Sequence, residues 1–162
     1  MLEILMVFNS WMSYLKVKTP YSQEFQEKFY GDARKFFFRI ISIDGQGFTQ
    51  GPKVDVQKLL RGNIDIFKSD DEEVKIFGEI TTWEIPEVLI TKASLGSTLT
   101  FQGETLKIPP YPPQKIVDAT GCGDAYIAGY LKKRLEGILP KEAAHFASQI
   151  GAKNMEVEGA LF

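Results

Sequence analysis

The sequence predicts an α/β fold with a mostly parallel sheet covered on both faces. Three observations carry that expectation. Short segments of strand type alternate with segments of helical period. The strand segments are apolar and β-branched, as strands buried on two faces must be. The glycine-bracketed stretch "ATGCGDAYIAGYL", 119–131, leads from an extended approach directly into a helix. With 162 residues, 44% hydrophobic and 12% aromatic, the chain is long enough to bury its own core, and it reads as one domain, 1–162. Nineteen basic and 21 acidic residues leave a formal net charge of -2, and the basic ones are scattered, which argues against nucleic acid as a partner. Cys122 is the single cysteine, so no intrachain disulfide can form. There is neither a cleavable signal pattern nor an apolar run of membrane length, and the cytoplasm is the expected location.

The elements follow in order. The opening "MLEILMVF" is broken by Glu3 and reads as a buried strand, Leu2–Phe8, rather than a secretory segment. Ser22–Lys35 is a predicted helix with Phe25, Phe29 and Tyr30 on one side, and Phe36–Ile43 a second strand, so a crossover is expected between them. Val54–Leu60 reads as a short helix, Ile64–Phe67 as a strand, Asp70–Phe77 as a helix opened by acids, and Val88–Thr91 as a strand. Between the last two, "GEITTWEIPE" carries only a weak helical pattern. The period changes at "STLTFQGETLKI", 97–108, where alternation around Gln102-Gly103 predicts a hairpin near a sheet edge. The proline-dense "IPPYPPQK", 108–115, is an extended connector. Helices over Cys122–Leu135 and Lys141–Glu156 close the chain, with Pro140 in the position that opens the second.

Chemistry concentrates where the connector meets the first of these closing helices. Glycines at 121 and 123 beside a helix start leave several backbone N–H groups aimed at one spot, and the helix dipole adds partial positive charge there. Phosphate is the natural ligand of such a spot. Asp124 then has two readings: a carboxylate that stabilises the helix end, or a base facing a substrate hydroxyl beside a developing phosphate charge. The residues alone leave both open.

"DATGCGDAYIAGYL", 118–131, resembles the second signature of the ribokinase or PfkB carbohydrate kinase family, D-T-x-G-A-G-D followed by a small and apolar helix. Asp118, Thr120, Gly121, Gly123 and Asp124 agree with it, while Ala119 and Cys122 replace the commoner threonine and alanine. The resemblance implies that Asp124 takes the proton from a sugar hydroxyl and that the N–H groups of Gly121, Cys122 and Gly123 form the anion hole. It implies a ribokinase-like three-layer α/β/α sandwich using ATP and Mg²⁺, with 40–162 family-like and 1–39 weakly matched. The family's N-terminal lid and first βαβ units, which hold the sugar, find no counterpart in this sequence.

Further segments carry the likeness. "IDIFKSDDEEV", 64–74, resembles a strand followed by the family's N-x-x-E element, with Asp70 in place of asparagine and Glu73 at the glutamate, a pair that tends to serve Mg²⁺ indirectly. An acidic helix start is the alternative. "VLITKASLGSTLTFQGE", 88–104, is similar to the nucleotide-side T-x-G-x-x-G turn, where Thr91 and Gly96 match and Ala93 replaces the first glycine. The helix "AAHFASQIGAKN", 143–154, resembles the one bordering the adenine pocket, with Ser148 at a position often small and polar, and Thr120 counts with the nucleotide contacts. His145, the only histidine, reads as a packing or surface residue. "IISIDGQGFTQG", 40–51, resembles a D-x-Q-G-F strand end, which places Asp44 and Gln46 toward the acceptor. The implied function is ATP-dependent phosphoryl transfer to a sugar or polyol. The second function class is a remnant without turnover that binds nucleotide or a partner. A homo-oligomer is expected from an unpaired strand edge at Met1–Phe8, and a complementing subunit as the source of the lid that the resemblance implies.

Overall fold

The computed structural model describes residues 4–7, 40–44, 56–80 and 83–159. The predicted helix over 22–35 and the loop bearing Gln46 lie outside them. The chain divides into two compact units, 1–90 and 91–162.

In the first unit the strands run in the order β1 (Ile4–Val7), β2 (Ile40–Asp44), β3 (Ile66–Asp70), β4 (Glu87–Thr91), with Thr91 the first residue of the second unit. β1 and β2 are parallel, with Ile4 opposite Ile40 and Val7 opposite Ile43. β2 and β3 are parallel as well, Ser42 opposite Ile66 and Asp44 opposite Lys68. Two short helices, α1 (Val56–Leu60) and α2 (Val74–Phe77), belong to this unit. Its core gathers Leu60, Ile64, Phe67, Ile80, Trp83, Ile85, Val88 and Ile90. Phe77 meets Phe67 and Trp83 edge to face, with ring centroids 5.6 and 6.2 Å apart. The weakly patterned "GEITTWEIPE" thus earns its place by burying Ile80, Trp83 and Ile85, not by period.

The boundary between β3 and α2 departs furthest from expectation, while the closing helix predicted to Glu156 ends at Asn154. The strand predicted over Ile64–Phe67 runs over Ile66–Asp70, and the predicted helix over Asp70–Phe77 shrinks to its last turn. Lys68 and Ser69 are polar, yet both are buried, and Lys68 pairs with Asp44 across the ladder. Tertiary pairing overrides local polarity here.

The second unit opens with a 3-10 turn, Ala93–Leu95, and the antiparallel hairpin β5 (Ser97–Phe101) and β6 (Glu104–Ile108), in register from Ser97 opposite Ile108 to Phe101 opposite Glu104. Gln102 and Gly103 take φ of 52° and 80°, the left-handed pair that a two-residue hairpin needs. Helix α3 (Cys122–Leu135) has the predicted bounds, and α4 (Pro140–Asn154) starts on its proline and packs against it. Small residues allow the helices to close: Ala143, Ala144 and Ala147 are wholly buried, and a Cβ built on Gly129 would lie 3.1 Å from Ile150 Cγ1. Tyr126 in α3 shares a 2.8 Å hydrogen bond with Ser97 of β5, and burial pushes its phenol up to about 12. Parallel pairs in one unit and a hairpin in the other make this an α/β fold with mixed strand directions. Among the described residues no helix is long and apolar enough to cross a membrane.

Candidate functional site

The glycine loop is built by its neighbours in space. Val117 and Asp118 both donate backbone N–H to the Met155 carbonyl, at 2.7 and 3.3 Å. The Asp118 carboxylate accepts from Thr120 N at 2.8 Å through Oδ1 and from Gly159 N at 3.0 Å through Oδ2. Those donors, Thr120 first, hold its carboxyl below the usual aspartate range. The chain then turns left-handed at Gly121, φ 76°, and its carbonyl accepts the helical bond from Ala125 N at 2.9 Å. Of the three expected anion-hole donors, Cys122 N already donates to the Ala119 carbonyl at 3.3 Å. Gly121, Cys122 and Gly123 are partly exposed, and Asp124 is exposed in the first turn of α3.

Helix α4 backs this loop. Asn154 donates to the Thr120 carbonyl at 2.7 Å and approaches Cys122 Sγ at 3.6 Å, while a Cβ on Gly151 would lie 3.4 Å from the Cys122 carbonyl. One and a half turns earlier, Ser148 Oγ accepts from Tyr111 N at 2.8 Å and donates to the Pro109 carbonyl at 3.2 Å. Ser148 therefore pins the proline connector. The connector in turn lies against Gly96, whose φ is 87° and where a built Cβ would come within 2.2 Å of the Ile108 carbonyl and 2.9 Å of Pro110 N. Thr91 ends β4, and the turn after it closes through Lys92 N to the Gly96 carbonyl at 2.7 Å. Ala93 sits there with φ 46°, so alanine keeps the left-handed bend that glycine would take without strain.

In the first unit, Asp70 ends β3 and caps the turn that follows it. Its Oδ1 accepts from Glu72 N and Glu73 N at 3.0 and 2.7 Å, and Glu73 Oε2 accepts in return from Asp70 N at 3.2 Å and Ser69 Oγ at 3.1 Å. This is a reciprocal capping box with aspartate in the serine place. Asp44 is the last residue of β2, at the same strand end as Asp70, and Gln46 lies outside the described residues. His145 is half-buried on α4. Among the described residues no three His, Cys, Asp or Glu stand together as a metal cage. Sequence reasoning placed the loop and its acid. It missed Asn154, one of two side-chain amides, with Gln149, on an alanine-rich helix.

The sequence profile of the pfkB family carbohydrate kinases matches residues 55–162. The 2-dehydro-3-deoxygluconokinase of Dickeya dadantii is 30% identical, covering 59% of this chain and 34% of that protein. A nucleoside kinase of Methanothermobacter thermautotrophicus is 31% identical, covering 80% and 44%. The crystal structure of adenosine kinase from Sinorhizobium meliloti superposes with a TM-score of 0.77 over 97% of this chain and 50% of its own, at 17% identity, which is a likeness of fold. The chain spans less than half the length of these two curated relatives.

Proposed function

The chain belongs to the pfkB family of carbohydrate kinases, and from that membership we propose that it serves ATP-dependent phosphoryl transfer to a hydroxyl of a sugar or polyol. The observation that carries the reading is the left-handed Gly121 feeding α3, with Asp124 exposed in the first turn beside it. Phosphoryl transfer depends on positioning and charge stabilisation, so aimed amides next to one carboxylate form a sufficient core. Gly121 and Gly123 donate to the transferring group. Cys122 joins them if its N–H leaves the Ala119 carbonyl. Asp124 takes the hydroxyl proton as the new bond to phosphorus forms. Thr91, Gly96, Thr120 and Ser148 belong to the nucleotide side, with Gly96 and Ser148 shaping the backbone rather than offering unoccupied side-chain donors. Asp44 and Gln46 are assigned to the acceptor.

Asp70 and Glu73 fit Mg²⁺ held through its own waters and the nucleotide's phosphates, because each carboxylate is oriented by the turn and, among the described residues, no protein cage surrounds it. Bound there, the ion would neutralise phosphate charge. A single cysteine and no predicted disulfide suit a reducing compartment, and the cytoplasm remains the proposed location. One observation favours the second reading, a nucleotide-binding module without turnover: one carboxylate oxygen each of Asp70 and Glu73, Oδ1 and Oε2, is already engaged as a cap. Thermal melting with Mg-ADP, alongside a transfer assay with sugars and polyols, tests both. Stabilisation with transfer supports the kinase reading, stabilisation without transfer supports the module, and no stabilisation sinks both.

A further inference from the structure

Asn154 is the last residue of α4 and is wholly buried. Its Nδ2 stands 2.7 Å from the Thr120 carbonyl oxygen, which can only accept, so the amide nitrogen is the atom that faces it. A trans peptide is planar, and its C=O and N–H point in opposite directions. A donor anchored inside the unit that takes the Thr120 carbonyl therefore turns the Gly121 N–H the other way. Among the described residues no acceptor faces that N–H, and Gly121 is partly exposed. On the preceding peptide, Thr120 N is taken by Asp118 Oδ1 at 2.8 Å. Both peptide planes flanking Thr120 are thus fixed by side chains, one from the loop itself and one from a helix 34 residues away.

We propose that Asn154 is a positioning residue that sets the Thr120–Gly121 peptide plane and so aims the Gly121 N–H outward as an anion donor. The consequence for binding rests on the phosphoryl-site reading above, whereas the orientation of the N–H does not. Cys122 Sγ, 3.6 Å from the same nitrogen, gives Asn154 a second acceptor on the loop and keeps the amide from rotating away.

Two near-isosteres test it, Asn154→Leu, which has no donor, and Asn154→Asp, which has none when ionised, beside the exposed control Gln149→Ala. In the full chain, the residual dipolar coupling of the Gly121 N–H reports the orientation of that bond. It is expected to change in both variants while those of α4 up to Ala147 stay as in the parent. The Kd for a non-hydrolysable Mg-ATP analogue, Mg-AMPPNP, which carries the γ-phosphoryl, is expected to weaken by about tenfold in both, the loss of roughly one oriented hydrogen bond, and to stay within about twofold in the control. Folded variants with an unchanged Gly121 coupling overturn the proposal, even when they melt lower, because a purely structural amide would do that. If the parent chain itself fails to bind Mg-AMPPNP, the phosphoryl-site reading falls and the dipolar couplings still decide Asn154. If neither variant folds, solvent exchange of the Asn154 side-chain amide in the parent decides: slow exchange upholds the bond, and fast exchange overturns it.

Discussion

Two aspartates six residues apart divide the labour at the loop. Asp124 is exposed in the first turn of α3, and on the kinase reading proposed above Asp124→Asn removes a base but keeps the shape. In an assembly that turns over, it is expected to cut transfer by about two to four orders of magnitude. Nucleotide affinity should hold or improve slightly, since one negative charge near phosphate is gone. A purely capping Asp124 would instead lose helix stability of about 1 kcal/mol or less with normal turnover. Kinetics and melting on one variant separate these. Asp118 does different work, because its carboxylate is tied to Thr120 N and Gly159 N. Its folded pKa lies below the ordinary 3.8, so its grip is complete above that value and is lost as pH falls through the lower folded one. The Thr120 and Gly159 amide proton shifts should titrate together with a midpoint under 3.8. A midpoint at or above it would show that the two bonds do not form in solution.

At the scale of the element, the turn after β4 shows how two neighbouring positions oppose each other. Ala93 has a Cβ in a left-handed conformation, at a cost of about 1–2 kcal/mol, so Ala93→Gly recovers part of that against the added freedom of the unfolded chain. The expected gain is up to about 1 kcal/mol. Gly96→Ala meets backbone: the Ile108 carbonyl would lie 2.2 Å from the new Cβ, and neither β6 nor the pinned prolines can yield cheaply. A loss of about 3 kcal/mol or more is expected, from strain and overpacking together. Chemical denaturation of the pair checks both signs. Gly96→Ala at parental stability would mean that the connector does not lie where Ser148 pins it. Ser148 on α4, singled out only by the resemblance, takes its observed role from partners that local sequence cannot announce, Pro109 and Tyr111, 39 and 37 residues away.

For the whole molecule, binding and folding are linked. A nucleotide that binds only the folded chain at ten times its Kd stabilises it by about 1.4 kcal/mol, which for a chain of this size raises Tm by roughly 3–6 °C. Melting with increasing Mg-ADP should follow that logarithm. A flat response up to about millimolar concentration rules out a usable site. This chain spans 34% and 44% of the two curated relatives compared above. β1 lies at the end of the strand order in its unit, the position from which a further strand or a second chain would extend the sheet.

Some of this was determined by the sequence alone. The start and end of α3, the left-handed pair Gln102-Gly103, the proline that opens α4 and the glycine-flanked approach to Asp124 are local matters of dihedral preference and period, readable within a few residues. The tertiary structure decided the rest. β3 reaches Asp70 because β2 supplies a ladder for buried Lys68, which no local polarity pattern announces. Asp70 and Glu73 cap each other because the strand ends there. Asn154 acquires its task because α4 packs on α3 and brings an amide to a carbonyl 34 residues distant, and hydrogen bonds between remote positions leave no period in a single chain.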